Sequence, residues 1–292
     1  MTEPTLFIGG AGGKLGRRVI DLLRQRGHAG RIIAGTRDPE KLGHPEGVEV
    51  RRADYTDPAG LESALGGVDR FLIISTDQIG TRLANHLNAV AAARAAGVKE
   101  LVYTSMPAPE APSAISFAPE HLGTEQAIKA SGLRYTILRM SWYTENLLGT
   151  LPGVLARGQW YTSAGDGRVS YVSREDCARA AAGALLRPAA DRTYTVTGPA
   201  ALTTREIAAE ASRLAGRPIA VVDVGDEQLA AGARAAGVPD YVIENFIVAF
   251  DRNTRERKVA SVTDAVESLW GERPISVADV LAANRAALLG AA

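Results

Sequence analysis

The stretch Thr5-Leu-Phe-Ile-Gly-Gly-Ala-Gly-Gly-Lys-Leu-Gly16 decides how the rest of the chain is read. Its apolar run, Leu6, Phe7 and Ile8, suits a buried first strand of a parallel sheet. A helical pattern follows at once, with Leu15, Val19, Leu22 and Leu23 on one face. Between them, Gly10, Gly13 and Gly16 stand three apart. A strand, a glycine loop and a helix in this order aim backbone N–H groups and the positive end of a helix at one spot. That spot suits a pyrophosphate. A Cβ there would block the turn, the approach of the phosphates and the packing of helix on sheet. The loop therefore assigns Gly10, Ala11, Gly12, Gly13, Lys14 and Leu15 to a dinucleotide site. Glycine triplets alone also mark ordinary turns; the flanking strand and helix give this one its weight.

A second apolar run, Arg31-Ile-Ile-Ala-Gly-Thr-Arg37, reads as strand two. NAD-binding units place an acid near its end, ~20 residues past the glycines, to hold the ribose 2′-hydroxyl. Here the position carries Arg37, a cation that pairs with a 2′-phosphate and offers a free hydroxyl no acceptor. The expected cofactor is NADP(H). A solvated loop arginine beside Asp38 is the plainer alternative.

Further strands follow at Val48–Asp54, Arg70–Ser75, Glu100–Ser105 and Tyr135–Arg139, separated by helical stretches. Asp57 and Pro58 supply an N-cap and a first-turn proline for one of them. Six strands alternating with helices predict an α/β, Rossmann-type, doubly wound parallel sheet over residues 1–140. Ligands of such sheets bind beyond the carboxyl ends of the strands. Asp54, Tyr55, Ile74, Ser75 and Thr104 are the expected cofactor contacts there. Met106–Ser116 holds Pro107, Pro109 and Pro112, and reads as a loop bordering a substrate site. From about 141 to 292 the pattern predicts a smaller, mainly helical substrate lobe, with strands near 160–197 returning to the first domain. Thr203-Thr-Arg-Glu206 has the spacing of a capping box.

Composition excludes other classes. Basic and acidic residues balance at 33 each, so no electrostatic footprint for nucleic acid or an anionic membrane exists. The single Cys177 lies in a helix-like run and reads as a buried structural thiol; it allows neither a disulfide within the chain nor a cysteine metal cluster. His28 and His44 sit in loop-like segments and read as exposed, while His86 lies on a helix with no second histidine at ligand spacing, so no metal is expected. Asp223, Asp226 and Glu227 read as a charge cluster at a helix start. No signal segment or bilayer-spanning run precedes or interrupts the pattern, which predicts a cytoplasmic protein with no membrane partner. Its oligomeric state is left open.

Together these residues resemble the atypical, NmrA-like branch of the short-chain dehydrogenase/reductase superfamily, nearest its bacterial NAD(P)H:quinone oxidoreductases and triphenylmethane reductases. The matching pieces are the glycine loop, Arg37, Ala53-Asp-Tyr55, Tyr103-Thr-Ser105, Glu120-His-Leu-Gly-Thr-Glu125, Leu138-Arg-Met-Ser-Trp-Tyr-Thr-Glu-Asn146 and Ala164-Gly-Asp-Gly167. The likeness covers most of the chain and is weakest in the last third.

The superfamily's catalytic signature is Tyr-x-x-x-Lys, yet none of the eight tyrosines has a lysine four positions on. The tyrosine position aligns with Phe117 and the lysine position with His121. Phe117 donates no proton. Hydride addition to an ordinary ketone makes a localised alkoxide that needs an acid, whereas a quinone, a cationic dye or an enone spreads or neutralises the charge. The resemblance therefore implies an NADPH-dependent reductase of a small conjugated electrophile. His121 is the one candidate donor, with holding the nicotinamide or ribose as its alternative role. Ser105 occupies the place of the catalytic Ser/Thr, or simply caps its strand. Trp142, Tyr143 and Asn146 are the expected substrate contacts, or for Trp142 packing between lobes. Two other functions stand beside this one: an NADP-binding, redox-sensing regulator without turnover, and a reductase or isomerase of secondary metabolism acting on an enone.

Overall fold

The computed structural model describes residues 3–289. Its first six strands are β1 (Leu6–Gly9), β2 (Ile32–Thr36), β3 (Val48–Arg52), β4 (Arg70–Ile73), β5 (Glu100–Ser105) and β6 (Arg134–Met140). Five more follow: β7 (Gln159–Thr162), β8 (Arg168–Val169), β9 (Arg192–Val196), β10 (Leu202–Thr203) and β11 (Ala220–Asp223). β9 joins the first six in one sheet of order β3-β2-β1-β4-β5-β6-β9, and every pairing in it is parallel. The order reverses between β1 and β4, which opens a crevice at their carboxyl ends. This is the doubly wound α/β architecture that the alternation predicts.

Helices cover both faces. They are α1 (Lys14–Gln25), α2 (Pro39–Leu42), α3 (Pro58–Ala64), α4 (Arg82–Ala95), α5 (Ala118–Ala130), α6 (Leu147–Arg157) and α7 (Arg174–Leu186). Strand residues alternate between the faces, so Leu6 and Ile8 pack with Val19 and Leu23 of α1, with α7, and with Trp270. Phe7 points the other way, into a core with Phe71, Leu61 and Ile128 from the side of α3, α4 and α5. Cys177 is fully buried on α7.

Beyond α7 lie α8 (Thr204–Ala215), α9 (Asp226–Ala235), α10 (Asp240–Val242), α11 (Ala249–Arg255) and α12 (Ala265–Trp270). A π-helical turn, Ile243–Val248, joins α10 to α11. The capping box at the head of α8 is formed in full: Thr203 accepts from the Glu206 amide, and the Glu206 side chain accepts from the Thr203 amide. Three features depart from the sequence reading. Of the strands expected near 160–197 to return to the first domain only β9 does so; β7 pairs with β11 and β8 with β10 in separate two-stranded sheets. Ala220–Asp223 is a strand, paired in parallel with β7, so Asp223 ends a strand and only Asp226 and Glu227 begin a helix. His28 is not exposed: its side chain is 2% accessible, with Nδ1 2.8 Å from the Glu3 carboxylate. Its Nε2 lies 3.0 Å from the Pro4 carbonyl. His44 is exposed. Among the described residues no helix is long and apolar enough to cross a membrane.

Candidate active site

A cleft of about 310 Å³ opens at the carboxyl ends of β1 to β4. Gly10, Gly12, Gly13, Arg37, Asp54, Tyr55, Ile74 and Ser75 line it, all of them expected cofactor contacts. Thr36, Ala53, Thr56, Thr76, Asp77, Gln78 and Asn85 line it too and were not read from the sequence. Thr76, Asp77 and Gln78 ride on the segment between β4 and α4 and Asn85 on the first turn of α4, and none carries a spacing that would mark it.

The cleft fits a dinucleotide. Gly10 has φ of +73°, the left-handed turn that redirects the chain into α1. A Cβ at Gly16 would stand 2.6 Å from the Gly10 carbonyl oxygen, so only glycine lets the helix come this close to the loop. A Cβ at Gly13 would meet nothing in the protein nearer than 3.4 Å; what it would fill is the cleft itself. Gly13 caps α1 without any side-chain hydrogen bond, which leaves the first amides of that helix facing the cleft. Ala11 is buried and its amide bonds to Gly35 O, whereas Lys14 is exposed and Leu15 packs against the core. Ala11 therefore shapes the loop from behind, while Lys14 and Leu15, the first residues of α1, carry the amides that face the cleft.

Arg37 is exposed on the cleft wall. Its neighbour Asp38 does not compete for a phosphate partner. The Asp38 carboxylate caps α2, accepts from the Lys41 amide and lies 2.7 Å from Lys41 Nζ. Lys41, its strongest influence, holds it below the usual carboxylate range. Asp54 is likewise held low, first by the Thr56 amide. Thr104 is buried, and its hydroxyl accepts from the Ser75 amide at 2.9 Å, tying β5 to the cleft floor.

At the ends of β5 and β6 the molecule is closed. His121 is 5% exposed and both ring nitrogens face protein groups. Arg82 Nη1 lies 3.3 Å from Nε2, and Tyr103 Oη lies 2.8 Å from Nδ1. A guanidinium can only donate, so Nε2 accepts and the proton resides on Nδ1, which donates to the tyrosine. His86, fully buried nearby, obeys the same logic. Its Nε2 accepts from the Thr76 amide at 3.2 Å, and its Nδ1 faces Thr124 Oγ1 at 3.0 Å. Burial, followed by the Arg82 charge, pushes both imidazoles down to about 3. Both are neutral at ordinary pH. This corrects the expectation of His121 as an available proton donor: desolvation removes its charge, and its neighbours occupy its nitrogens.

Ser105 is also turned inward. Its hydroxyl donates to Glu125 at 2.7 Å, and the fully buried Glu125 is clasped by two bonds from Arg139 at 2.9 and 2.7 Å. Phe117 ends the loop before α5 with its ring 6.1 Å from that of His121 and the Arg82 guanidinium 5.1 Å above it.

The expected substrate residues are dispersed. Trp142 is buried with Met106, Ile115 and Phe117 and stacks on Phe250 at 4.4 Å. Tyr143 packs into the β1–α7 core with its hydroxyl 3.9 Å from Met140 Sδ, and Asn146 is exposed in the turn Thr144–Asn146. Consecutive residues leaving a strand face opposite ways, which is why Tyr143 does not join Trp142. The sequence reading gave Arg82, Tyr103, Thr124 and Phe250 no role. Tyr103 and Thr124 lie within stretches that carry the resemblance, whereas nothing local marks Arg82 and Phe250; the sheet and the second lobe bring them in. Among the described residues no cluster of metal-binding side chains exists.

A family model described as NAD(P)H-binding matches residues 10–188. Quinone oxidoreductase 2 of Escherichia coli strain K12 is 38% identical over 80% of this chain and 83% of its own length. Among solved structures, the NADPH-dependent quinone oxidoreductase of Escherichia coli complexed with NADPH superposes with a TM-score of 0.89. It shows 33% identity over 96% of this chain and 99% of the other. The triphenylmethane reductase of Citrobacter sp. complexed with NADP(H) gives 0.86 and 31% identity, over 98% and 100%. With its glycine loop, its cleft and these relatives, the chain belongs to the NAD(P)H-binding family of oxidoreductases.

Proposed function

We propose that this protein uses NADPH to reduce a quinone or a similarly flat, conjugated electrophile. The observation that carries the reading is that neither of the expected catalytic groups, His121 and Ser105, is free to act as an acid. Phe117 stands where a tyrosine acid would, His121 is neutral and engaged on both sides, and Ser105 is committed to Glu125. Such a site suits an acceptor that carries the incoming charge in its own π system. The names of the relatives, quinone oxidoreductase and triphenylmethane reductase, agree with acceptors of this kind.

When bound, NADPH supplies a hydride from its nicotinamide ring; the quinone takes both electrons, solvent supplies the proton that completes the hydroquinone, and NADP⁺ remains. The protein's part is binding and orientation. Gly10, Gly12 and Gly13 with the first turn of α1 hold the pyrophosphate. Arg37 pairs with the 2′-phosphate and sets the preference for NADPH. Asp54, Tyr55, Ile74 and Ser75 line the cleft along the rest of the cofactor. The network of Arg82, His121 and Tyr103 fixes the wall behind the reacting end. Apolar side chains from Met106, Phe117 and Trp142 keep water from it.

The test is NADPH oxidation followed against a panel of quinones, triarylmethane dyes and enones. Turnover is expected with the quinones or dyes. NADPH binding without oxidation by any acceptor would overturn the reading.

A further inference from the structure

The open cleft stops short of the place where an electron acceptor has to stand. With the 2′-phosphate at Arg37 over β2, the nicotinamide half of the cofactor runs from the glycine loop towards β5 and β6. There Met106, Ile115, Phe117 and Trp142 are at most 8% exposed, and none of them lines the cleft. A second flat ring reaches them only if something above them moves.

The elements around this end are held unequally. Arg139 of β6 grips the proline-rich loop through Glu110 at 2.6 Å. α11 is bound from below: Asp251 accepts from the Thr162 hydroxyl at 2.8 Å and from the Ser163 amide at 2.7 Å. A Cβ at Gly167 would stand 2.5 Å from the Thr254 carbonyl oxygen, so the turn after β7 lies tight against the end of α11. Residues 227–248 differ. α9, α10 and the π turn pack on one another and on α11, and only their Leu229 and Ile243 are buried. Asp226, just before them, is tied to Arg252 and Arg255 of α11. Among the described residues, a single hydrogen bond joins 227–248 to the first domain, from the Ser116 hydroxyl to Asn245 Oδ1, and it is exposed. Few buried contacts and one exposed bond make such a segment easy to lift. The π turn, a winding that recurs at functional sites, joins it to the fixed α11.

Phe246 sits on that turn. It is 37% exposed, yet its ring centroid lies 5.9 Å from that of Phe117 and 5.8 Å from that of Phe250, which stacks on Trp142. The ring thus already covers the aromatic wall of the closed end.

We propose that residues 227–248 form a lid that lifts to admit the acceptor, and that the Phe246 ring holds the acceptor's place while the lid is shut. The proposal rests on the reading of the protein as a reductase of flat electrophiles. An incoming flat ring replaces the contacts that Phe246 gives up, so lifting and binding are coupled. Reclosure then shields the transfer from water.

The test bridges the one bond that fastens the lid. Ser116→Cys and Asn245→Cys are combined and joined by a short bis-methanethiosulfonate reagent that a reductant releases. Cys177, the chain's single native cysteine, is fully buried and stays out of the reaction. Each single variant serves as the control for modification without bridging, and mass spectrometry verifies the bridge. Bridging is expected to lower naphthoquinone turnover about a hundredfold, with recovery on reduction, while NADPH affinity stays within about twofold. Unchanged turnover in the bridged protein overturns the lid. Loss of NADPH binding on bridging also overturns it, since the segment would then cover the cofactor and not the acceptor. If the unbridged protein oxidises NADPH with no acceptor, the reductase reading falls by itself. Hydrogen exchange then reads the lid directly. Amides of α9 and the π turn should exchange about tenfold or more faster than those of α11, and the bridge should remove the difference. Equal protection before bridging overturns the proposal.

Discussion

The cleft over β1 to β4 and the closed ground over β5 and β6 are built from opposite materials. The first is walled largely by glycines, backbone amides and short polar side chains, and it is open before any ligand arrives. The second is filled by Met106, Phe117, Trp142 and Phe250 and backed by a buried Arg82–His121–Tyr103 network. A cofactor common to many enzymes is met by main chain, which tolerates little change. A substrate peculiar to one enzyme is met by side chains, which can be exchanged singly. The difference locates the chemistry: the cleft is open and polar, whereas the closed end holds its charges in pairs, Arg82 beside Glu120 and Arg139 on Glu125.

The largest expected effects fall on the glycine loop. Gly16→Ala drives a methyl into the Gly10 carbonyl and Ala11 Cα, so stability should drop by about 2–4 kcal/mol in denaturant unfolding. Gly13→Val should spare the fold but project into the cleft, and calorimetry should show NADPH binding abolished. A Gly13→Val protein that binds normally would break the assignment of the cleft.

Arg37→Ala should weaken NADPH binding by about 1.5–3 kcal/mol and leave NADH nearly unchanged, since the lost contact is charge-assisted and meets only the 2′-phosphate. Equal losses for both cofactors would make Arg37 structural.

The neutral histidines give a pH signature. His86 has a folded value of about 3 against an ordinary 6.5, so only the unfolded chain takes up its proton between those limits. The stability it contributes is full above pH 6.5 and is lost as pH falls towards 3. Between pH 7 and 4.5, wild type should lose about 2 kcal/mol more than His86→Gln in paired denaturant curves.

The smallest effect is expected at His121. Its Ala variant should lower quinone turnover about tenfold or less, where a positioned acid would contribute ~10²–10⁴. The wild-type kcat profile should show no break in the histidine range, because burial keeps the ring neutral there. A loss beyond a hundredfold, together with such a break, would make His121 the proton donor.

The sequence reveals these two regions unequally, for a physical reason. A phosphate cradle needs φ values and close approaches that only glycine supplies, so Gly10, Gly13 and Gly16 announce themselves by spacing alone. The Thr203–Glu206 cap is similarly local and readable. Tyr103, His121 and Arg82 come from three elements, and only the folded sheet sets them side by side. β11 is four residues long, and its partner β7 lies about sixty residues away, too little pattern to separate it from the surrounding helices. Tyr143 was misplaced because adjacency in sequence is opposition in space at a strand end.

The seventh strand bears on how the protein is made. β9 covers the outer edge of β6, and α7 lies against α1 over the first core. During synthesis, therefore, the nucleotide fold stays incomplete after Met140, with an open strand edge and a bare apolar face, until Val196 has been added. At about 5–20 residues per second that wait lasts roughly three to ten seconds, a window in which the growing chain depends on the ribosome or a chaperone to keep its exposed sheet from neighbours.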